Sequence, residues 1–254
     1  MTVVIDSFPS SRTDYFLHYA IVAIDVIRAS TTAVTAVAAG RRCIPVSSVE
    51  EALRMREQMP DCVLAGEVAG VKPEGFDLNN SPASVALRTD HQRPLVLLSS
   101  SGTKLMVQSS TCVDAYVACL RNFKATAAHL AGRHERIAIL GAATRGEFRE
   151  EDQLCCAWIA SELFRLGHEP ENRRTGNIAE RWSTANVDAC ARGNSAAFLR
   201  RSGQTDDLDF VLAHVNDIPL AFRLAAGEIL PIPIVTSFAG EKEHAGTSGS
   251  RLIA

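Results

Sequence analysis

The stretch AIVAIDVIRASTTAVTAVAAG, residues 20–40, joins a strand-like apolar run to a helix built from small residues. The run Ile21–Asp25 predicts a buried strand whose last residue is an acid. Arg28 follows three positions later, and Ser30 and Thr31 stand at the expected start of the helix. Charged side chains are seldom placed at the end of a buried element for packing alone. The stretch therefore predicts an α/β fold with chemistry at this strand end.

Short apolar runs alternate with helical patterns, which favours a sheet with helices on its faces. Cap residues predict helix starts at Ser48, Ser81 and Asn122, a long helix runs from Glu150 to Leu166, and residues 176–201 have a helical pattern. We predict a three-layer α/β/α fold with a mixed, largely parallel sheet. The predicted strands are Val3–Ile5, Ile21–Asp25, Cys43–Val46, Cys62–Ala65, Leu95–Ser99, Ala115–Ala118, Ile137–Gly141, Phe210–His214, Pro219–Leu224 and Ile229–Pro231.

The totals limit the class of protein. A chain of 254 residues with 46% hydrophobic and 22% charged residues suits one packed α/β domain. We assign residues 1–238 to that domain and expect the Gly- and Ser-rich residues 239–254 to form a flexible tail. The net charge of −3 offers no basic excess for nucleic acid or an anionic membrane. Any anion-binding site must therefore be local.

Cysteine use and the N-terminal sequence favour a cytoplasmic protein. The seven cysteines are odd in number and show no C-x-x-C spacing, so we expect reduced, mostly buried thiols. The N-terminal residues lack a basic region followed by a long apolar run, so no signal peptide is predicted. No apolar run approaches the roughly 20 residues that a membrane span needs.

Polar residues cluster after four predicted strands. Each cluster is rich in Ser, Thr or Gly and leads into a helix at once or after a short loop. The carboxyl ends of strands in an open α/β sheet are where ligands bind, so the four clusters are expected at one site. The clusters are Asp25–Thr32, Gly66–Glu67 with Lys72–Pro82, Ser100–Lys104, and Thr144–Phe148 with Glu150–Asp152.

The mixture of charges in these clusters favours a metal-assisted phosphoryl site. Helix N-termini offer free N–H groups to an anion, and Arg28, Lys72 and Arg145 could neutralise it. Carboxylates such as Asp25 and Glu67 are oxygen ligands suited to Mg²⁺, and a cation between acid and anion would remove their repulsion. Each cluster has an ordinary alternative: Ser30, Ser81 and Ser101 as helix caps, Asp25 as a turn residue, and Lys72 and Arg145 as surface charges.

Several common catalytic motifs are missing. The chain has no G-x-x-x-x-G-K-[ST], G-x-G-x-x-G or G-x-S-x-G sequence. No cysteine is followed six positions later by arginine, and the seven histidines show no spacing typical of metal ligands. Phosphate transfer through a cysteine or a nucleotide-binding loop is therefore not predicted.

At the same four clusters the sequence resembles the 2-phosphosulfolactate phosphatase family. The resemblance spans roughly residues 20–232, and its most specific block is GFDLNNSP, residues 75–82. The sequence departs from the family pattern in one residue and one loop: the family usually has Asn where Ser101 stands, and a different loop around Ala143 and Arg145. The other matching stretches are Ile24–Thr32, Leu64–Lys72, Ser100–Thr103, Gly141–Phe148 and Glu151–Cys155.

The resemblance implies a Mg²⁺-dependent phosphoric monoester hydrolase that acts on a small anionic ester such as 2-phosphosulfolactate, on a route to coenzyme M. With it, we predict Asp25, Glu67 and Asp152 as metal ligands and Asp25, Glu67 and Arg28 as catalytic residues. Attack by a metal-activated water and direct attack by Asp25 both stay open. The predicted substrate-binding residues are Ser30, Thr31, Lys72, Asn80, Ser81, Ser101, Gly102, Thr103, Thr144 and Arg145.

Other functions on this scaffold also stay open. The substrate could be another phosphorylated metabolite, such as a sugar or nucleoside phosphate. A lyase, a phosphoryl transferase or a non-catalytic binding protein could keep the same pocket, and Ser101 would fit a loss of activity. A homodimer is one option for the oligomeric state, and no nucleic-acid or membrane partner is expected.

Overall fold

A computed structural model of the protein describes residues 1–8, 14–112, 114–143 and 147–232. The predicted tail over residues 239–254 lies outside these residues, and the domain boundary at 238 stays a prediction. The strands are β1 (Thr2–Phe8), β2 (Ala20–Ile24), β3 (Cys43–Val46), β4 (Val63–Gly66), β5 (Leu95–Leu98), β6 (Ala115–Ala118), β7 (Arg136–Ala142), β8 (Glu169–Pro170), β9 (Phe222–Ala225) and β10 (Glu228–Pro231).

Helices alternate with these strands over most of the described chain. Among the described helices, none is long and apolar enough to cross a membrane. The helices are α1 (Tyr15–His18), α2 (Ala29–Ala38), α3 (Val49–Gln58), α4 (Pro82–Ala86), α5 (Gly102–Ser109), α6 (Phe123–Leu130), α7 (Glu150–Arg165), α8 (Arg173–Trp182), α9 (Asn194–Arg201) and α10 (Thr205–Ala213), with a 3₁₀ helix at Val187–Arg192.

The strands form one mixed sheet in the order β4-β5-β3-β10-β9-β6-β2-β7-β1-β8. Two parallel blocks, β4-β5-β3 and β6-β2-β7-β1-β8, make up most of it. The antiparallel hairpin β9–β10 lies between the blocks and pairs with β6 on one side and β3 on the other. The predicted three-layer α/β/α class with a mixed, largely parallel sheet is confirmed.

Helices cover both faces of the sheet because successive strand residues point to opposite sides. On β2, Ile21 and Ala23 face a core that includes α2 and α5, whereas Val22 and Ile24 face a second core with α6 and α7. A third cluster packs α3 against Val46, Leu64 and Val96 on that second face. The strands are therefore buried on both sides, which is why they are continuous apolar runs.

Local sequence chemistry accounts for the starts of α3 and α4. The Ser48 side chain accepts a hydrogen bond from the Glu51 N–H at 3.2 Å, and Ser81 accepts one from the Ser84 N–H at 3.0 Å with Pro82 at the first helical position. Asn122 precedes α6 as predicted, but its side chain does not cap the helix.

All seven cysteines are free thiols, and six of them are buried.

The predicted strand Phe210–His214 was wrong, because this segment belongs to helix α10. Two acids, Asp206 and Asp207, occupy the first turn, where the helix dipole favours them. Leu208 and Val211 are buried three residues apart, a spacing that a helix places on one face. The short apolar run was therefore one face of a helix, a known ambiguity of runs of this length.

Candidate functional site

A cavity of about 580 Å³ lies at the carboxyl ends of strands β2, β4 and β5. We call its first side the strand-end wall, formed by Asp25, Ile27, Arg28, Glu67, Ala69, Gly70, Asn80, Ser100 and Ser101. We call the opposite side the helix wall, formed by Asn194, Ser195, Phe198, Leu199 and Arg201 of α9. Glu147 and Arg149, which precede α7, complete the lining.

The strand-end wall depends on curvature of the sheet. Four strands separate β2 from β5 in the sheet order, yet Asp25 after β2 contacts Gly102 at the start of α5. A β-carbon on Gly102 would lie 2.1 Å from Asp25 Oδ2, so a residue without a side chain is required there. The sheet therefore curls around α2 and α5 and brings two distant strand ends together.

Asp25 is held by its own turn. The Ser30 hydroxyl accepts a hydrogen bond from the Asp25 N–H at 3.0 Å and donates one to the Asp25 carbonyl at 2.7 Å. The Ala29 N–H donates to the Asp25 carboxylate, which also lies against Gly102. Ala29 and Gly102 are the first residues of α2 and α5, so the carboxylate lies between two helix N-termini.

Burial and neighbouring acids change the protonation of Asp25. Loss of solvent, followed by the Glu67 carboxylate, raises the pKa of Asp25 from 3.8 to about 7. Glu151 adds to this rise, whereas the Ala29 N–H and Arg28 oppose it. Asp25 is therefore a carboxyl group that titrates near neutral pH and would gain from a nearby cation.

Glu67 is fixed by three donors. Its Oε1 accepts a hydrogen bond from the Ser100 N–H at 2.7 Å, and its Oε2 accepts from the Gly70 N–H at 2.6 Å and the Ser100 hydroxyl at 2.9 Å. Val68 and Val71 exchange backbone hydrogen bonds in the turn that follows Glu67, and Gly70 in this turn has φ +85°. Glu67 therefore joins this turn to the end of β5 and still lines the cavity.

Two adjacent acids, Glu151 and Asp152, are buried in the first turn of α7. Asp152 Oδ1 accepts a hydrogen bond at 2.8 Å from the N–H of Val26, the residue that follows Asp25 in the chain. Burial, followed by the Asp25 and Glu151 charges, raises the pKa of Asp152 well above its ordinary value. Neither acid lines the cavity. The predicted role of Asp152 as a metal ligand stays a prediction.

Arg28 lines the cavity, but its charge is already paired. Its Nη1 donates to Asp207 Oδ2 at 2.5 Å and to Gln204 Oε1 at 2.6 Å, and both side chains of the ion pair are about 95% buried, with 4% and 5% exposed. Its Nη2 also donates to Asn79 Oδ1 at 3.4 Å. The pair connects the β2–α2 turn to α10, so Arg28 cannot act as an uncompensated cation toward a substrate.

The other predicted substrate-binding residues divide into three groups. Asn80 and Ser101 line the cavity directly. Ser30, Thr31, Ser81, Gly102 and Thr103 lie behind it and hold the turns, as when Thr31 donates to the Val26 carbonyl at 2.7 Å. Lys72 does not line the cavity and is exposed, and its Nζ donates to the Phe76 carbonyl at 2.7 Å. Thr144 and Arg145 lie outside the described residues.

The helix wall was not predicted as part of the site. Residues 193–195, Gly-Asn-Ser, form the small polar start of α9, similar in composition to the strand-end clusters. No strand precedes this segment, so the strand-end rule could not find it. Glu147 belonged to a predicted cluster without a role, and its Oε2 accepts from Arg149 at 2.5 Å and from Asn194 at 3.3 Å.

The carboxylates suit Mg²⁺ because they are oxygen donors, although the described residues do not supply a complete set of ligands. Among the residues that the structure describes, no three acidic, histidine or cysteine side chains are grouped so as to hold a metal ion. Mg²⁺ at phosphoryl sites commonly takes one or two carboxylates together with water and substrate phosphate. Asp25 and Glu67 line the cavity, and the Glu67 charge makes ionisation of Asp25 more costly, which a divalent cation would relieve. The residues therefore fit a magnesium site of that partial kind.

Comparison with known proteins gives one consistent family. A probable 2-phosphosulfolactate phosphatase of Deinococcus radiodurans is 33% identical over 247 residues, 94% of this chain and all of that protein. One from Clostridium perfringens is 31% identical over 215 residues, 82% of this chain and 87% of that protein. One from Pseudothermotoga lettingae is 35% identical over 145 residues, 56% of this chain and 61% of that protein. Residues 7–225 match the profile of the family described as 2-phosphosulpholactate phosphatase, and the chain belongs to this family.

Proposed function

We propose that this protein is a Mg²⁺-dependent phosphoric monoester hydrolase for a small acidic phosphoester, with 2-phosphosulfolactate as its substrate. The observation that carries the proposal is the Asp25 carboxylate, which lies between the N-termini of α2 and α5 at the cavity. Family membership supports the reaction and the substrate class.

We infer that metal and phosphate would bind at separate positions in the cavity. Asp25 and Glu67 would hold Mg²⁺, which supplies charge neutralisation at the phosphoryl group and a water of lowered pKa. The positive end of the α5 dipole and the polar side chains of Ser101 and Asn80 would bind phosphoryl oxygens. Arg149 and Arg201 also line the cavity and would bind the remaining acidic groups of the ester, Arg149 in exchange for its ion pair with Glu147.

The hydrogen-bond pattern explains why Asp25 and Glu67 have different roles. Both Glu67 oxygens already accept N–H or O–H donors, so Glu67 holds the turn while presenting a fixed negative charge. Asp25 receives a donor from Ala29 and otherwise faces Gly102 and the cavity. We therefore assign to Asp25 the contact on which turnover depends most.

The test is phosphate release from a panel of esters with and without added Mg²⁺. The panel contains 2-phosphosulfolactate, other phosphorylated acids, sugar phosphates and nucleoside monophosphates. We expect stoichiometric phosphate and alcohol without an acceptor, loss of activity in chelator, and a fall of two to four orders of magnitude in Asp25→Asn. The control is Asp206→Asn, at an exposed acid in α10.

Three results would contradict the proposal. One is no hydrolysis of any ester at any Mg²⁺ concentration. Another is phosphate transfer that requires an acceptor, or cleavage without phosphate release, which would indicate a transferase or a lyase. The third is undiminished turnover in Asp25→Asn, which would remove Asp25 from the reaction. Preference for a sugar or nucleoside phosphate would support the assignment as a hydrolase and would change the proposed substrate.

A further inference from the structure

Glu151 is a buried acid that the proposed chemistry does not use. It is the second residue of α7, only 1% exposed, and it does not line the cavity. Its Oε2 has no hydrogen-bond partner among the residues that the structure describes. Burying a carboxylate without full pairing is costly, so its presence calls for a compensating contact.

That contact is the start of α9. The Ser195 side chain lies close enough to the Glu151 carboxyl group to lower its pKa, against the rise that burial causes. A β-carbon on Gly193 would lie 3.1 Å from Glu151 Oε2, so the carboxylate rests against the residue that precedes the helix. This position is at the N-terminal end of α9, where the helix dipole favours a negative charge. Glu151 therefore fastens the first turn of α7 to the first turn of α9.

The next residue makes the matching contact on the other side of the cavity. Asp152 Oδ1 accepts the Val26 N–H at 2.8 Å and so holds the turn that carries Asp25. Two consecutive residues of one helix thus hold the two walls: Asp152 the strand-end wall and Glu151 the helix wall. The rigid first turn of α7 fixes the separation between these two attachments.

We propose that Glu151 is a positioning residue that sets the helix wall relative to Asp25. It acts through Ser195 and the start of α9, which place Asn194 and Ser195 at the cavity. This assignment rests on the proposed phosphatase function for its kinetic consequences. It does not make Glu151 a metal ligand or a proton carrier.

The test compares Glu151→Ala, Glu151→Gln, Ser195→Ala and the double variant Glu151→Ala/Ser195→Ala with the unmodified protein. Loss of the attachment displaces groups that bind the substrate, so we expect kcat/KM in Glu151→Ala to fall on the order of tenfold or more, mainly through KM. Glutamine keeps an acceptor for Ser195, so Glu151→Gln should restore most of the loss. Ser195→Ala should add nothing to Glu151→Ala, because both remove one attachment.

Two further measurements separate positioning from other roles. The Mg²⁺ concentration for half-maximal activity should be unchanged in Glu151→Ala. Glu150→Ala is the matched control, since Glu150 precedes Glu151 but is half-exposed and makes a surface ion pair with Arg181; its kinetics should be unaltered. An altered Mg²⁺ requirement with no recovery in Glu151→Gln, or additive effects of the Glu151 and Ser195 changes, would overturn the proposal.

A readout without turnover keeps the proposal independent of the reaction. Hydrogen exchange over residues 194–201 should be faster in Glu151→Ala and normal in Glu151→Gln, with residues 29–38 unchanged. If the unmodified protein hydrolyses no ester, the proposed function fails, and this exchange pattern still decides the role of Glu151. Unchanged exchange in Glu151→Ala would refute it.

Discussion

The two walls of the cavity are built differently. The strand-end wall is held largely by hydrogen bonds between residues close in the chain, as in the Ser30–Asp25 pair and the Glu67–Gly70 turn. The helix wall is attached to the rest of the protein by contacts between residues far apart in the chain. Glu151 approaches Ser195, and the Phe198 ring lies against Gly70. Arg28 binds Gln204 and Asp207 at the start of α10, the helix that packs against α9.

The two walls would therefore contribute differently, one to the reaction and the other to the position of substrate-binding groups. The strand-end wall carries the acids and helix N-termini on which a phosphoryl reaction would depend, and short turns such as that of Asp25 and Ser30 hold these acids. The helix wall supplies polar and cationic groups whose distance from Asp25 depends on a few buried attachments. Changes in the first wall should therefore act on the reaction itself, and changes in the attachments should act on stability and substrate binding.

The largest expected effect comes from Gly102→Ala. The added β-carbon would lie 2.1 Å from Asp25 Oδ2 and would displace that carboxylate. We expect kcat/KM to fall on the order of 100-fold, since small misplacements of a reacting group are costly. The control is Gly176→Ala, where the nearest atom would be 3.9 Å away, at Pro170. Equal activity of the two variants would show that Asp25 does not need its present position.

Breaking the Arg28–Asp207 attachment should cost stability. Asp207→Ala leaves a buried, unpaired guanidinium, which typically destabilises a protein by about 3–5 kcal/mol. The matched surface pair is Arg165–Glu162, in which Arg165 is 72% exposed, and Arg165→Ala should cost less than about 1 kcal/mol. Denaturant unfolding measures both. Similar losses in the two variants would mean that the helix wall does not depend on this ion pair.

Titration of Asp25 predicts a pH dependence of stability in metal-free protein. Burial and the Glu67 charge raise its pKa from 3.8 to about 7. Between pH 3.8 and about pH 7, the folded protein therefore keeps a proton on Asp25 that the unfolded chain has lost. The free energy of unfolding should therefore be highest below about pH 4 for this group and fall toward pH 7, by up to about 1.4 kcal/mol per pH unit.

Asp25→Asn removes this contribution and should flatten the dependence, measured by denaturant unfolding in chelator from pH 5 to 8. Asp152 and Glu151 also have raised pKa values from burial, so some slope should remain. An unchanged slope in Asp25→Asn would indicate that Asp25 is ionised throughout this range.

The smallest expected effect is at Lys72. Its side chain is exposed and bonds to the Phe76 carbonyl rather than lining the cavity. Lys72→Ala should therefore change kcat/KM by less than about threefold. A loss comparable to that of Gly102→Ala would restore the sequence-based prediction that Lys72 binds substrate, and would require this loop to move toward the cavity.

The sequence predicted the strand-end wall well because its signals are local. A buried run that ends in an acid, followed by Ser and Thr at a helix start, located Asp25 and Ser30 without tertiary information. The predicted approach of strand ends also placed Glu67 and Ser101 at one cavity, as the structure describes. Their chemical roles stay predictions.

The helix wall could not be found in this way. Its position depends on residues such as Asp207, which is 179 positions from Arg28, and the strand predicted at Phe210–His214 hid the helix that carries Asp207. Curling of the sheet, which brings Gly102 against Asp25, also leaves no local pattern in the chain. These features arise from packing, where sequence periodicity carries little information.

The position of the hairpin β9–β10 affects when the two parallel blocks can join into one sheet. It comes last among the described strands, yet it lies at the middle of the sheet and pairs with β3 and β6. Until residues 222–231 are synthesised, the two parallel blocks each end in an unpaired strand, and no strand pairing among the described residues joins one block to the other. Nascent chains shorter than this would expose two open sheet edges to chaperones or to one another.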